Sequence, residues 1–288
     1  MTVKLVTDST CNLPPHLMAL YDIRVAPVTI HFGMDAYKAD VDIDTAEFYR
    51  KIAASGILPQ TSQPSVGEFA HLYNTLADEG ADEIISVHVA ARLSGTCQSA
   101  ALAASQVSKR VQVYVVDSMA GSAPIGWMLA DAAKLIAQGW PAAEIVAHLE
   151  NQRTQATIFF AVDNLKFAQM SGRVGRLTGV LSAMLNIKPV IGLEGGQINV
   201  LTKVRSNKAA MRQIVTLTKE RVKNNSVNVG VVHAQTPERA KTLMELAKAE
   251  LNIQQAFIAE IRISLAVHFG PETLGLTTYP FQGDVNAL

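Results

Sequence analysis

The sequence predicts a two-domain α/β protein, with a parallel-sheet first part and a second part built on a mixed sheet. Short apolar, β-branched runs alternate with longer helical patterns, as parallel strands and their crossover helices do. The chain has 288 residues, enough for about two cores, since one core rarely grows past ~250–300 residues. Charge also changes sign along it. Residues 1–155 carry 10 Lys+Arg against 16 Asp+Glu, and residues 156–288 carry 15 against 9, so −6 and +6 cancel to the overall zero. Residues 1–155 and 156–281 are therefore read as the two domains, with a frayed tail at 282–288.

In the first part, strands are expected at Val3–Asp8, Ala26–His31, Glu83–Val89, Val111–Val116 and Thr157–Val162, where β-branched residues cluster. Helices are expected at Thr45–Ser55, Ser65–Glu79, Thr96–Val107, Ala123–Gln138 and Ala142–Arg153. Asp44 caps the first, and Pro141 opens the last where a missing N–H costs nothing. The second part begins with a helical piece near Leu165–Met170 and a Gly-broken basic loop, Ser171–Arg176. A hairpin follows, Lys188–Leu193 and Gln197–Val204, turned by Glu194-Gly195-Gly196. A helix at Asn207–Asn224, a strand at Val227–His233, a helix at Pro237–Leu251 and a strand at Ala256–Ile263 complete the pattern before a Gly-rich close.

Composition excludes several classes. With 49% apolar and 17% charged residues, the chain is neither disordered nor a coiled coil. It has no stretch of ~18 uncharged apolar residues and no signal-like N-terminus, which predicts a cytoplasmic protein. Cys11 and Cys97 are too few for a disulfide framework and are expected as reduced thiols. Zero net charge argues against a general nucleic-acid binder. Between Lys166 and Lys223, however, 11 basic residues face two acids, Glu194 and Glu220. That segment is either an anion-attracting face or a plain solvated surface. No phosphate loop, dinucleotide fingerprint, nucleophile elbow or zinc helix motif is present. Asp40, Asp42 and Asp44 imitate the start of a calcium loop, but Thr45 stands where that loop needs Gly and Lys51 where it needs Glu.

Four loops carry the chemistry that remains: Asp8-Ser9-Thr10, Gln60–Ser65 with Thr61 and Ser62, Leu93-Ser94-Gly95-Thr96, and Asp117-Ser118 with Ser122. Each follows a strand or opens a helix, where hydroxyls and free N–H groups suit a carboxylate or phosphate oxygen. Taken singly, each is also an ordinary cap or turn. His268, in a late apolar stretch, is either a core residue or a donor to an anion. Met170, Leu181, Met184 and Leu185 either line an apolar tunnel or are plain core.

The runs Asp8–Pro14, Thr61–Ser65, Ser94–Ala100, Asp117-Ser118, Gly172-Arg173, Lys188-Pro189, Lys203-Val204-Arg205 and His268–Pro271 together resemble the DegV family of bacterial fatty-acid-binding proteins, which includes the acyl-carrying subunit of fatty acid kinase. The resemblance implies a two-domain fold with a Rossmann-like first domain and a long-chain fatty acid, such as palmitate, buried between the domains. It implies no other cofactor, no metal and no catalysis by this chain. Thr61, Ser94, Ser62 and His268 would hold the carboxylate, supported by Asp8, Ser9, Thr10, Gly95, Thr96, Asp117 and Ser118. Arg173, Lys203 and Arg205 would form a basic rim for an ATP-binding kinase subunit, whose acyl-phosphate product passes to an acyltransferase. Asn12 and Glu272 depart from the family pattern, Glu272 bringing an acid to the last loop. A reading from another class is a hydrolase or transferase using Ser94 with His268.

Overall fold

The computed structural model describes residues 1–163, 165–172, 187–281 and 283. The first part runs β1 (Val3–Asp8), α1 (Pro15–Leu20), β2 (Ile23–Ala26), β3 (Thr29–Phe32), β4 (Asp35–Lys38), α2 (Thr45–Ser55), β5 (Gln60–Ser62), α3 (Val66–Asp78), β6 (Glu83–His88), α4 (Thr96–Val107), β7 (Gln112–Asp117), α5 (Ala123–Ala137) and α6 (Ala142–Gln152), ending in a 3-10 turn at Arg153–Gln155. The second runs β8 (Thr157–Ala161), α7 (Lys166–Met170), β9 (Lys188–Glu194), β10 (Gln197–Val204), α8 (Asn207–Val222), β11 (Val227–His233), α9 (Pro237–Glu250), β12 (Ile253–Glu260), α10 (Ile263–Phe269) and β13 (Leu274–Pro280).

Strands β2-β1-β6-β7 form a parallel sheet. Its two faces explain its unbroken apolar runs: Val6 and Ile84 pack under Phe69, Tyr73 and Ala100, from α3 and α4, while Leu5, Ile85 and Val87 pack against Met128, Leu129 and Ile145, from α5 and α6. The second sheet, β10-β9-β8-β13-β11-β12, is mixed, with only β11 and β12 parallel. Helices α8 and α9 cover one of its faces through Met211, Ile214, Leu243 and Met244.

The other face meets α5. Gly230 on β11 approaches so closely that an added Cβ would stand 2.4 Å from Ala123 Cβ, and the rings of Trp127 and Phe257 lie 5.1 Å apart. Lying between two sheets, α5 is buried almost all round, which is why its sequence shows little polar face. A small antiparallel sheet, β4-β3-β5, also joins the lobes: Ile30, Phe32 and Phe48 form one core with Ile261, Ile263 and Val267.

Two strand readings need correction. The run Ala26–His31 is broken at Pro27, which cannot donate to a ladder, so β2 ends at Ala26 and β3 starts at Thr29. The strand expected at Ala256–Ile263 is Ile253–Glu260, because Ile263 already opens α10. Met170 is 63% exposed and is not among the residues that line the pockets described below; Leu181, Met184, Leu185 and Arg173 lie outside the described residues. The hairpin turn is as expected, with Gly195 and Gly196 both at positive φ. Among the described residues, no helix is long and apolar enough to cross a membrane.

Candidate functional site

Parallel pairing carries the C-terminal ends of β1, β6 and β7 to one side, so the loops after Asp8, His88 and Asp117 converge against the second sheet. Asp8 is the anchor of this side. Its Oδ1 accepts from Thr10 N at 2.9 Å and Thr10 Oγ1 at 2.6 Å, and its Oδ2 accepts from Val89 N at 3.0 Å and pairs with His88 Nδ1 at 3.1 Å. Burial alone would raise this carboxyl, but His88, Thr10 and the Val89 N–H together hold it below its ordinary value. His88 Nε2 continues to Ser86 Oγ at 2.7 Å, which meets Tyr73 OH at 2.9 Å. This row has the connectivity of a hydrolytic triad, yet Asp8, Ser86 and His88 are fully buried. Its position makes it a brace that fixes two loops, one on each strand.

The second lobe is tied to the same loop. Asn12 Nδ2 donates to Glu260 O at 2.8 Å, and Asn12 Oδ1 accepts from Ser122 Oγ at 3.0 Å and Arg262 N at 3.4 Å. Ser264 Oγ donates to Ser9 O at 2.7 Å, while Ser9 Oγ accepts from Val28 N at 3.0 Å. These bonds set α10, and with it His268, over the strand ends.

Thr10, Thr61, Gln63, Ser94, Ser264 and His268 line one pocket there, together with Val28, Leu93, Ile198 and Phe269. Thr61 Oγ1 and His268 Nε2 are 3.1 Å apart. Ser94 Oγ lies 2.8 Å from Thr96 Oγ1 and accepts from Thr96 N at 3.3 Å, holding the start of α4. Gly95 leaves room for Gln63, whose amide nitrogen would sit 2.4 Å from a Cβ at that position. A second pocket shares Val89, Leu93, Ile198, Leu265 and Phe269 with the first and is also lined by Ile158, Phe160 and Val232. A cluster of short polar groups thus adjoins an apolar pocket whose walls come from both lobes.

The expected residues separate into three groups. Thr61, Ser94, His268 and Thr10 line the polar cavity. Asp8, Ser9, Thr96, Asp117 and Ser118 act behind it: Asp117 Oδ1 accepts from Ala91 N and Met119 N, and Ser118 bonds within its own turn. Ser62 does not reach it. Adjacent strand residues point to opposite faces, so Ser62 Oγ faces out, 2.8 Å from His31 Nε2. Lys203 and Arg205 are exposed at and just beyond the end of β10. Sequence reasoning missed Gln63, Ser264 and Ile198 as wall residues; Gln63 stood inside a loop already singled out, whereas Ser264 and Ile198 carry no local signal.

Ser94 and His268 share the pocket, but Ser94 Oγ meets Thr96 and His268 Nε2 meets Thr61, and among the described residues no hydrogen bond joins Ser94 to His268. A nucleophile and base in register would need one. Cys11 and Cys97 are both free, and burial pushes each thiol up to about 12, so neither is a nucleophile near neutral pH. Among the described residues, no three His, Cys, Asp or Glu side chains gather as a metal site. Asp44 is the N-cap of α2, accepting from Glu47 N at 2.8 Å.

The profile of the family described as uncharacterised protein, DegV family, matches residues 2–280. The chain belongs to the DegV family. Its relatives include a DegV domain-containing protein of Halalkalibacterium halodurans, 32% identical over 96% of this chain and 98% of that one. Among solved DegV-family structures, that of Thermus thermophilus, described by its fatty acid binding, superposes with a TM-score of 0.90 at 31% identity, covering 98% of this chain and all of the other. The fatty acid-binding DegV of Bacillus subtilis gives 0.87 at 28% identity, covering 98% of this chain and all of that one. The α/β fold with a parallel N-terminal and mixed C-terminal sheet is the fold of these DegV structures.

Proposed function

We propose that this protein carries a long-chain fatty acid, with the carboxylate among Thr61, Ser94 and His268 and the hydrocarbon in the apolar channel between residues 1–155 and 156–281, taken as its two domains. The observation that carries this reading is that one polar pocket and one apolar pocket lie side by side and share Val89, Leu93, Ile198, Leu265 and Phe269. The fatty acid binding of its DegV-family relatives supports it. A sixteen-carbon chain buries about fifteen CH2 or CH3 groups, at ~0.8 kcal/mol each a gross gain of roughly 12 kcal/mol before ordering and association costs. The hydrocarbon therefore supplies affinity. A buried carboxylate costs several kcal/mol unless multiply hydrogen-bonded, and the hydroxyls and imidazole offset that, which fixes orientation.

Hydrogen bonds from neutral hydroxyls leave a carboxylate oxygen able to attack phosphorus once ATP and metal are supplied from outside. We therefore extend the proposal to a cytoplasmic, non-catalytic subunit that presents the acid to an ATP-binding kinase partner at the basic rim of Lys203 and Arg205, the acyl-phosphate then passing to an acyltransferase. Mass spectrometry of protein purified from bacterial cells and denatured is expected to release a fatty acid. Repeatedly empty spectra, with no binding of added palmitate, would defeat the carrier reading. Thr61→Ala and Ser94→Ala are each expected to weaken palmitate binding about tenfold, measured by calorimetry. Charge reversal at Arg205 should lower kinase-coupled acyl-phosphate formation and leave palmitate affinity unchanged.

A further inference from the structure

Ile158 and Leu193, which line the apolar pocket, also line a third pocket between the lobes, where Arg153 and Arg221 are the cationic walls and Glu194 the acidic one. Arg153 Nη1 donates to Asp117 O at 2.7 Å and lies 3.5 Å from Glu150 Oε1, but its Nε is buried with no partner among the described residues. Arg221, in the last turn of α8, makes no ion pair among the described residues. Met119, at this wall, holds a left-handed φ of 52°, a conformation costly for a side-chain-bearing residue and kept where surrounding structure demands it. Here the Asp117 carboxylate imposes it, accepting from Met119 N at 2.8 Å.

A carrier for simple fatty acids needs only an apolar far end, since the methyl terminus asks for no partner. Two guanidinium groups there are chemistry that a hydrocarbon cannot use. Guanidinium is the side chain best shaped to meet a carboxylate, by paired N–H donors. We propose that the channel has a second polar end at Arg153 and Arg221, which accepts the ω-carboxylate of a long-chain dicarboxylic acid whose first carboxylate sits at Thr61 and Ser94. This inference rests on the carrier reading. Glu194, on the rim, weakens the site by its like charge and confines binding to ligands whose carboxylate reaches the arginines.

The test is calorimetric titration with α,ω-diacids of ten to eighteen carbons beside the monoacids of equal length. At least one diacid is expected to bind within about threefold of its monoacid, because charge-assisted hydrogen bonds at the far end offset the desolvation of the second carboxylate. Arg221→Met, an exposed position, is expected to weaken that diacid roughly tenfold or more while shifting palmitate less than about twofold. Glu194→Gln is expected to tighten it. If palmitate binds and every diacid is more than about a hundredfold weaker than its monoacid, the second end is overturned. Diacid binding indifferent to Arg221→Met overturns it as well, and so does Arg221-dependent binding of inorganic phosphate with the diacids rejected. Failure of palmitate itself to bind would instead count against the carrier reading.

Discussion

Asp8 shows how much a single residue does here without touching a ligand. Removing its charge strands the His88 side of a fully buried pair, and Asp8→Asn is expected to cost about 3 kcal/mol in urea unfolding. Because the folded carboxyl sits below its ordinary value of 3.8, its contribution is fully present above that value and is lost as pH falls through the folded one. Wild-type stability should therefore drop on acidification, and Asp8→Asn should flatten that acid limb. Glu272 is the converse case. It holds a left-handed φ of 64°, with its carboxylate 3.1 Å from Arg239, and it is not among the residues that line the polar pocket. Glu272→Gly relieves roughly 1 kcal/mol of backbone strain and removes a surface ion pair worth less than that, so a small rise in thermal midpoint is expected. Gly95→Ala should leave the midpoint nearly unchanged, since Gln63 is a flexible neighbour, but push that amide into the cavity and weaken palmitate binding several-fold.

At the level of elements, long periodic segments were readable and short ones were not. Helices α2 and α4 have the expected ends, because Asp44 caps one and a loop of Ser94 and Gly95 opens the other. Strand β11 is likewise as expected, its β-branched run being wholly buried. Helix α10 was hidden: it has seven residues, no side-chain cap, and an apolar face shaped by two lobes at once. β5 is three residues long, yet its alternation decides that Thr61 faces the cavity and Ser62 does not. Loop chemistry marked the polar cavity in advance, since hydroxyls at strand ends are local signals. The apolar walls were not marked, because Ile198 and Phe269 look like any core residue until the sheets are assembled.

Across the whole molecule, hydrogen bonds and close packing both join the lobes. Asn12 bonds Glu260 O and Arg262 N across the junction, Gly230 lies against Ala123, and Tyr279 OH donates to Asp131 Oδ2 at 3.2 Å, beside the 2.8 Å contact of that carboxylate with His148. Gly230→Val should wedge the lobes apart, lowering stability by about 1–3 kcal/mol. Loading with palmitate at a hundredfold excess over Kd should raise stability by ~2.7 kcal/mol, and the gain should shrink in Gly230→Val. Differential scanning calorimetry of loaded and empty protein would show both effects.

Since Val89 and Leu93 come from one lobe and Ile198 and Phe269 from the other, a ligand lying between them would touch both lobes at once. Parting the lobes would loosen both walls together, so weakening the Asn12 latch by Asn12→Ala should quicken uptake and discharge alike, leaving the equilibrium grip far less altered than the exchange time. A stopped-flow displacement measured on that variant would read how fast the seam opens.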